Sequence, residues 1–470
     1  MYAKIATGNI RRSFGDYSIY FMTLAFAACL LYSFTASTDY LLALDLSEQQ
    51  RGVYDSANGV MQAFSVFSVI VFAFLIVYAN RFILRRRSRE FALYEILGMP
   101  ASSIARILAY EGCIVGLFAL VIGMVMAVVT SPLSGFVAAF VFDVPYKLVF
   151  TFSSGALCWT AGCFLAIMVL ATLLGIRDVG RRPLIELLRA NSTPDSPKGI
   201  RRLPTAVQLA FAFVVLAIVW GSCILQPVFF VVWILPLGIL AVLATAVLFR
   251  FFATTWPSRA RRKPTRYLSG LRFFVIRQVE SRVSSSSNAM ACTCVLIAVA
   301  TCMMVAGLAF SVGMRGPAGI DNAAALAPIG YVGIFYGVTF LVAAAAVLAL
   351  QQLADAVDSA DRFALLADLG CDPKMMRGAI RTQVGVYFAA PFAFAMVHDC
   401  FGLTLVGFLA LVLGSSSYAV IVAAVIGGTA VLLGIYYLLT CLECRRVLLP
   451  SSYATLPERT LSRSSQLTRM

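Results

Sequence analysis

Long apolar runs recur from one end of this sequence to the other, and they limit its fold more than any other feature. Each is about as long as the ~20 residues a helix needs to cross a hydrocarbon core of roughly 30 Å. Ten spans are read at 18–37, 59–79, 107–131, 153–175, 205–225, 228–249, 288–313, 328–350, 384–404 and 418–440. The runs are continuous and not strictly alternating, which excludes a barrel of short membrane strands. Composition agrees: of 470 residues 61% are hydrophobic and 13% charged, about half the charged share of a soluble domain. The expected fold is an all-α, polytopic transmembrane protein. Its first span follows Arg11 and Arg12 as a secretory signal would, but its apolar core is longer and no small-x-small cleavage site follows, so it is read as a retained anchor.

Charge placement sets the orientation. With both termini inside, all of the 37 Lys and Arg lie on the cytoplasmic side except Arg51, Lys147 and Arg315. That is the positive-inside pattern of short loops. The net charge of +15 is therefore a topology signal that also suits anionic inner-leaflet lipid, and no nucleic-acid partner is needed to explain it. Most of the 12 cysteines fall in or beside spans, where cysteine is a small apolar residue. The C-x-x-C pair Cys441 and Cys444 has no second pair with which to build a zinc site, and one histidine is too few for a histidine-rich metal cluster.

The spans fall into groups of four, two and four. This divides the chain into a first four-helix unit (1–190), a central two-span hairpin (191–258), a second four-helix unit (259–446) and a cytoplasmic tail (447–470). The outer groups share a repeat. "REFALYEILG" (89–98) lies over "DRFALLADLG" (361–370), 272 residues further on, so that Phe91 matches Phe363, Ala92 matches Ala364, Leu93 matches Leu365, Leu97 matches Leu369 and Gly98 matches Gly370. "NIRRSFGDY" (9–17) and "VIRQVESRV" (275–283) precede equivalent spans and read as amphipathic helices on the inner face. Both copies lie on the same side of the membrane, so the repeat is parallel.

In the first copy the apolar positions have helical spacing, Gly98 suits a helix C-cap, and Pro100 cannot continue the helix. A short helix, a sharp turn and a long helix with Ser102 or Ser103 as N-cap are expected there. This knob carries Arg85 to Glu90 on its flank. The second copy lacks the basic block but keeps the apolar residues and the glycine. That places the docking role with Phe91 and Phe363, and much less with Arg85 to Arg87.

"REFALYEILGM", "RRPLIELLRA" (181–190), "RQVESRVSSSSNAM" and "PFAFAMVH" (391–398), in this order, resemble the MacB/FtsX-like ABC transporter permeases, and the four-two-four span order resembles their bacitracin-exporter (BceB-like) branch. The resemblance implies a permease of the bacterial plasma membrane whose short cytoplasmic helices couple to a separate ABC ATPase dimer. Arg89, Glu90, Phe91, Leu93 and Gly98, with Arg362, Phe363, Leu365 and Gly370, would then be the ATPase-facing residues. ATP and Mg would belong to that partner, with no cofactor bound by this chain. The cargo would be an amphiphile such as an antimicrobial peptide or a lipid-linked molecule. A signalling or scaffold protein working with an ATPase or a sensor histidine kinase is the alternative. The branch's large extracellular domain has no counterpart, because only "GMRGPAGIDNAAALAPIG" (313–330) separates the seventh and eighth spans.

The chain contains no Gly-Lys dipeptide and hence no P-loop of the Walker type. His398, Asp399 and Glu111 are ionisable groups near membrane depth and so are candidate functional residues. His398 and Asp399 are expected to reach water at the outer interface. Glu111, matched by Gln383 in the repeat, is expected to hydrogen-bond a neighbouring helix.

Overall fold

The computed structural model describes residues 2–42, 69–142, 150–181, 205–311, 320–412 and 417–449, apart from 71, 74, 78, 82, 85, 86, 151 and 263. Among these the regular structure is entirely helical. Eight helical stretches are long and apolar enough to cross a membrane: Ser102–Leu133, Ser154–Asp178, Ala206–Leu225, Pro236–Arg261, Ser286–Ser311, Gly330–Asp368, Pro373–Val412 and Tyr418–Leu448. They coincide with the third to tenth expected spans, and the protein is a multi-pass membrane protein. The first expected span falls on a helix whose apolar stretch, Tyr20–Ser33, is shorter. The second lies partly outside the described residues.

The first unit begins with α1 (Tyr2–Arg12), which passes through Ser13 into α2 (Phe14–Leu42). The described residues between 69 and 84 are helical and lead through Arg87 into α3 (Ser88–Ile96). Then come α4 (Ala101–Phe142) and α5 (Ser154–Arg181). α2 packs along α4, and α1 lies across the start of α4. The opposite face of α4 carries Leu117, Val121, Val125 and Val129, exposed at four-residue intervals. Such a stripe suits lipid tails, which solvate leucine and valine as well as a protein core would.

The hairpin is α6 (Thr205–Leu225) and α8 (Ile234–Arg261), joined by the short α7 (Pro227–Val232). Gln226 breaks the helix, and Pro227 restarts it at a first-turn position where no amide hydrogen is needed. The basic segment then turns through α9 (Pro264–Tyr267) into the second unit. That unit is α10 (Arg272–Ser311), α11 (Ile320–Asp368), α12 (Pro373–Val412) and α13 (Tyr418–Leu448).

α10 and α11 form the centre. They cross so closely that a Cβ on Gly307 would lie 2.6 Å from the Ile334 amide nitrogen. Close backbone contact of this kind replaces the hydrophobic drive that is missing between helices in lipid. α12 packs on α10, α13 on α11, and the hairpin leans on α10 through α8 and on α12 through α6. α11 also touches α4 and α2 of the first unit.

Two expectations are corrected here. Residues 275–283 are not a separate surface helix but the first turns of α10, so only the first unit has a distinct lead-in helix. The second knob is likewise not a separate short helix. α11 runs on for 49 residues and carries "RFALLAD" as its final turns.

Candidate functional site

The repeated stretches form two elbows at equivalent helix ends. In the first, Gly98 has φ 82°; in the second, Gly370 has φ 80°. Both close the same way. Gly98 N–H donates to Glu95 O at 3.0 Å and Met99 N–H to Tyr94 O at 2.9 Å; Gly370 N–H donates to Ala367 O at 2.9 Å and Cys371 N–H to Leu366 O at 3.0 Å. These are paired Schellman closures, which place a left-handed residue just past the helix end and so favour glycine. α12 then starts on Asp372, whose Oδ1 accepts the Lys374 N–H at 2.8 Å. α4 has no such cap. Ser102 and Ser103, either of which was expected as its N-cap, both lie inside it, where Ser103 Oγ meets Tyr2 Oη of α1 at 3.2 Å.

The aromatic residues of the two elbows point inward, and the expectation that Phe91 and Phe363 face a partner is corrected. Phe91 is buried against Ile104 and Leu108 of α4. Phe363 is buried edge-to-face on Phe274 of α10, with ring centroids 5.3 Å apart. Helical periodicity set the spacing of apolar positions but not which of them faced the protein. The exposed apolar side chains are Leu93, Ile96 and Leu97 on the first elbow and Leu365 and Leu369 on the second. The two tips match, with Leu97 72% and Leu369 73% exposed. Arg362 is exposed beside the second tip. On the first, Glu90 is half-exposed and turned back onto Arg87, the Arg89 side chain lies outside the described residues, and so do Arg85 and Arg86.

Behind the first tip is a buried charged cluster. Arg87 is 2% exposed and ion-paired with buried Glu111 of α4. Its other nitrogens reach Glu90 Oε2 at 2.7 and 2.8 Å, and Nη1 also donates to the Tyr17 hydroxyl of α2. The free oxygen of Glu111, Oε1, accepts from Asn9 Nδ2 of α1 at 2.8 Å. Burial opposes the Arg87 charge, but Glu111, Tyr17 and Glu90 outweigh it and hold the guanidinium above its ordinary value. The Tyr17 phenol is pushed up, first by burial. Arg87 is thus no loose topology charge: it ties α2, α3 and α4 together. Glu111 does bond to a neighbouring helix, as its position implied, and it is also half of an ion pair.

The second elbow has the same scaffold without those charges. At the same 272-residue offset Arg87 becomes Ser359, Glu111 becomes Gln383, and Asn80 becomes Gln352. Ser359 accepts from Gln278 of α10, and Gln383 Oε1 has no partner among the described residues. Asn80 bonds Ala171 O of α5 at 2.6 Å, while Gln352 meets α13 through its backbone carbonyl, which accepts the Cys444 thiol at 3.7 Å. The ion pairs here lie elsewhere: Arg282 of α10 reaches Asp355 at 3.1 Å and Asp358 at 3.2 Å on α11. Its charge too is opposed by burial and held up by the two aspartates.

His398 and Asp399 do not sit open at the outer interface. Asp399 is buried against α10, and His398 is partly covered by the hairpin. The structure does not bring them near either elbow or near Glu111. Among the described residues no group of three or more His, Cys, Asp or Glu side chains is arranged to hold a metal.

Residues 63–184 match the family described as FtsX-like permease C-terminal, a stretch that includes Arg87, Phe91, Gly98 and Glu111. That stretch of the chain is similar to an FtsX-like permease domain. The chain is also homologous to known ABC permeases. It is 26% identical over 193 residues to the bacitracin export permease protein BceB of Bacillus subtilis, which is 41% of this chain and 29% of that protein. A second BceB, from Halalkalibacterium halodurans, is 30% identical over 106 residues, or 23% of this chain and 16% of that protein. The uncharacterized ABC transporter permease YvcS of Bacillus subtilis is 23% identical over 192 residues, 41% of this chain and 29% of YvcS. The chain thus matches under a third of the length of the curated relatives it resembles, and the second elbow lies outside the FtsX-like match. The permease likeness and the membrane helices together place the protein in the bacterial plasma membrane.

Proposed function

We propose that this chain is the membrane subunit of an ABC transporter, driven by a separate cytoplasmic ATPase dimer. The observation that supports this best is the pair of elbows. Two Schellman-closed turns carry solvent-exposed leucines of matching position and exposure, each rigidly continuous with a membrane helix. Leu97 and Leu369 lie outside the membrane-crossing stretches, where lipid tails would not cover them as they cover the α4 stripe, and apolar side chains exposed there mark a docking face. ATP and Mg would be held by the partner, since this sequence has no Walker lysine. Closure of the ATPase pair would push on the elbows and move the attached helices as rigid bodies. The cargo class is an amphiphile, an antimicrobial peptide or lipid-linked molecule, that is exported, extracted or sensed.

The test is co-purification with an ABC ATPase encoded beside the gene. Leu97→Asp and Leu369→Asp should each lower the captured ATPase at least severalfold while the permease still elutes as a single species. Unchanged capture in the double variant would sink the reading. One feature favours a second reading, in which the protein signals with an ATPase or a sensor kinase and moves no cargo: only residues 312–319 separate α10 from α11. ATP-dependent movement of an amphiphile by the reconstituted pair in liposomes would eliminate it.

A further inference from the structure

A polar group in the seam between α10 and α12, next to the hairpin, has no part in elbow docking. Asp399 of α12 is 1% exposed. Its Oδ1 accepts from the Cys302 thiol of α10 at 3.4 Å, and its Oδ2 has no partner among the described residues. The adjacent His398 turns the other way. Its Nδ1 accepts the Trp220 indole N–H of α6 at 3.2 Å, which leaves Nε2 to carry the ring proton and donate to Thr245 Oγ1 of α8 at 3.0 Å. An imidazole that accepts at one nitrogen is neutral, so His398 supplies no counter-charge.

Among the described residues the neighbours supply none either. α10 presents the thiols Cys302 and Cys294, α6 presents Cys223, whose thiol meets Phe401 O at 3.8 Å, and α13 presents Tyr418, whose hydroxyl donates to Leu403 O. α8 presents Thr245 to His398, and no charged side chain of α11 reaches Asp399 among the described residues. An ionised carboxylate at membrane depth without a cation is costly, and such groups neutralise instead. Among the described residues no cluster of metal-ligating side chains includes Asp399, and the seam beside it is tight. A Cβ on Gly402 would come within 2.6 Å of Cys302 Sγ, and the apolar cavity lined by Phe72, Leu75, Leu296 and Val347 does not touch Asp399. The ligand that needs no volume is a proton.

We propose that Asp399 is a membrane-embedded proton-binding site, with the proton on Oδ2 and the α10–α12 seam closing only around the neutral acid. Releasing the proton requires water at Oδ2, so the seam must part. Because His398 holds α6 and α8, that parting shifts the hairpin against α10. The site thereby links protonation to helix arrangement, whether or not an ATPase docks at the elbows.

Infrared spectroscopy of the full-length protein in lipid nanodiscs at pH 7 tests this, comparing wild type with Asp399→Asn. The expected result is a protonated-carboxyl carbonyl band in the wild type that is lost in the variant and moves in D2O only slowly. The variant should keep the wild-type elution profile and thermal midpoint, because an amide is a neutral isostere of the acid. Coincident spectra in that region would overturn the proposal. So would an asparagine variant that fails to assemble, since the seam would then need the carboxylate itself.

Discussion

The two elbows share a backbone and differ in what holds it. Both end on a left-handed glycine, both bury a phenylalanine and both expose leucines at the tip. Behind the first stands a buried ion pair clasped by α1 and α2; behind the second, serine and glutamine occupy the same positions. The turn and the tip are thus set independently of the support. An exposed tip needs a fixed shape to dock, whereas its support sets how firmly that shape is tied to the membrane helices. The first elbow is tied by a buried ion pair inside it and by a lead-in helix, the second by aromatic packing, by the Arg282 pairs with Asp355 and Asp358 one turn back, and by continuity with α11.

The largest expected difference between them comes from the support. Arg87→Met strands a buried carboxylate at Glu111, and breaking one side of a buried pair costs about 3–5 kcal/mol. Its counterpart Ser359→Ala removes one neutral hydrogen bond and costs about 1 kcal/mol. Thermal scans in detergent should separate the two variants clearly, and the double variant Arg87→Met/Glu111→Gln should regain most of the loss. Equal losses in the two elbows would break the comparison at its root.

The buried rings should show the reverse, likeness. Phe91→Ala and Phe363→Ala each empty a packed site, and such truncations cost about 3–5 kcal/mol. Both should lower the thermal midpoint by similar amounts. A large loss at only one would mean that the elbows differ in packing as well as in charge. The turns come next: Gly98→Ala and Gly370→Ala force a Cβ into the left-handed region, for roughly 1–2 kcal/mol each. Hydrogen exchange at Met99 and Cys371 should rise in step in the two variants.

Which parts of this were legible from sequence follows from what each residue depends on. Membrane helices were readable because an apolar run crosses lipid whatever its neighbours. Both turns were readable because Gly98 and Gly370 answer a local backbone demand. The separate helices expected at 275–283 and in the second elbow were not found, since nothing in either stretch breaks a helix, whereas Gln226 and Pro227 do break the hairpin. Arg87 reads in sequence as one of the topology charges because its partner lies 24 residues away on another helix, and only folding brings the two together. Its one signal was the joint change of positions 87 and 111 to the neutral 359 and 383. The inward turn of Phe91 and Phe363 was beyond sequence for a different reason. In "FAL…LG" both faces of the helix are apolar, one toward the protein and one toward the tip, and composition cannot rank them.

The smallest effect on stability carries the most information about function. Leu97→Ser and Leu369→Ser alter side chains that touch little of the protein, so each should shift stability by no more than about 0.5 kcal/mol. If the tips are docking faces, each should still reduce ATPase capture, and by similar factors, because the two leucines are equally exposed. A different result would sharpen the contrast between supports. If Leu97→Ser abolished ATP-driven helix movement while Leu369→Ser lowered only capture, the charged elbow would be the lever and the neutral one an anchor. The measurement is a pair of spin labels, one on α4 and one on α11, followed by pulsed distance spectroscopy with and without ATP in the complex. Equal loss of movement from both serine variants would show that the buried Arg87–Glu111 pair adds stability to its elbow and gives it no separate role in transmission.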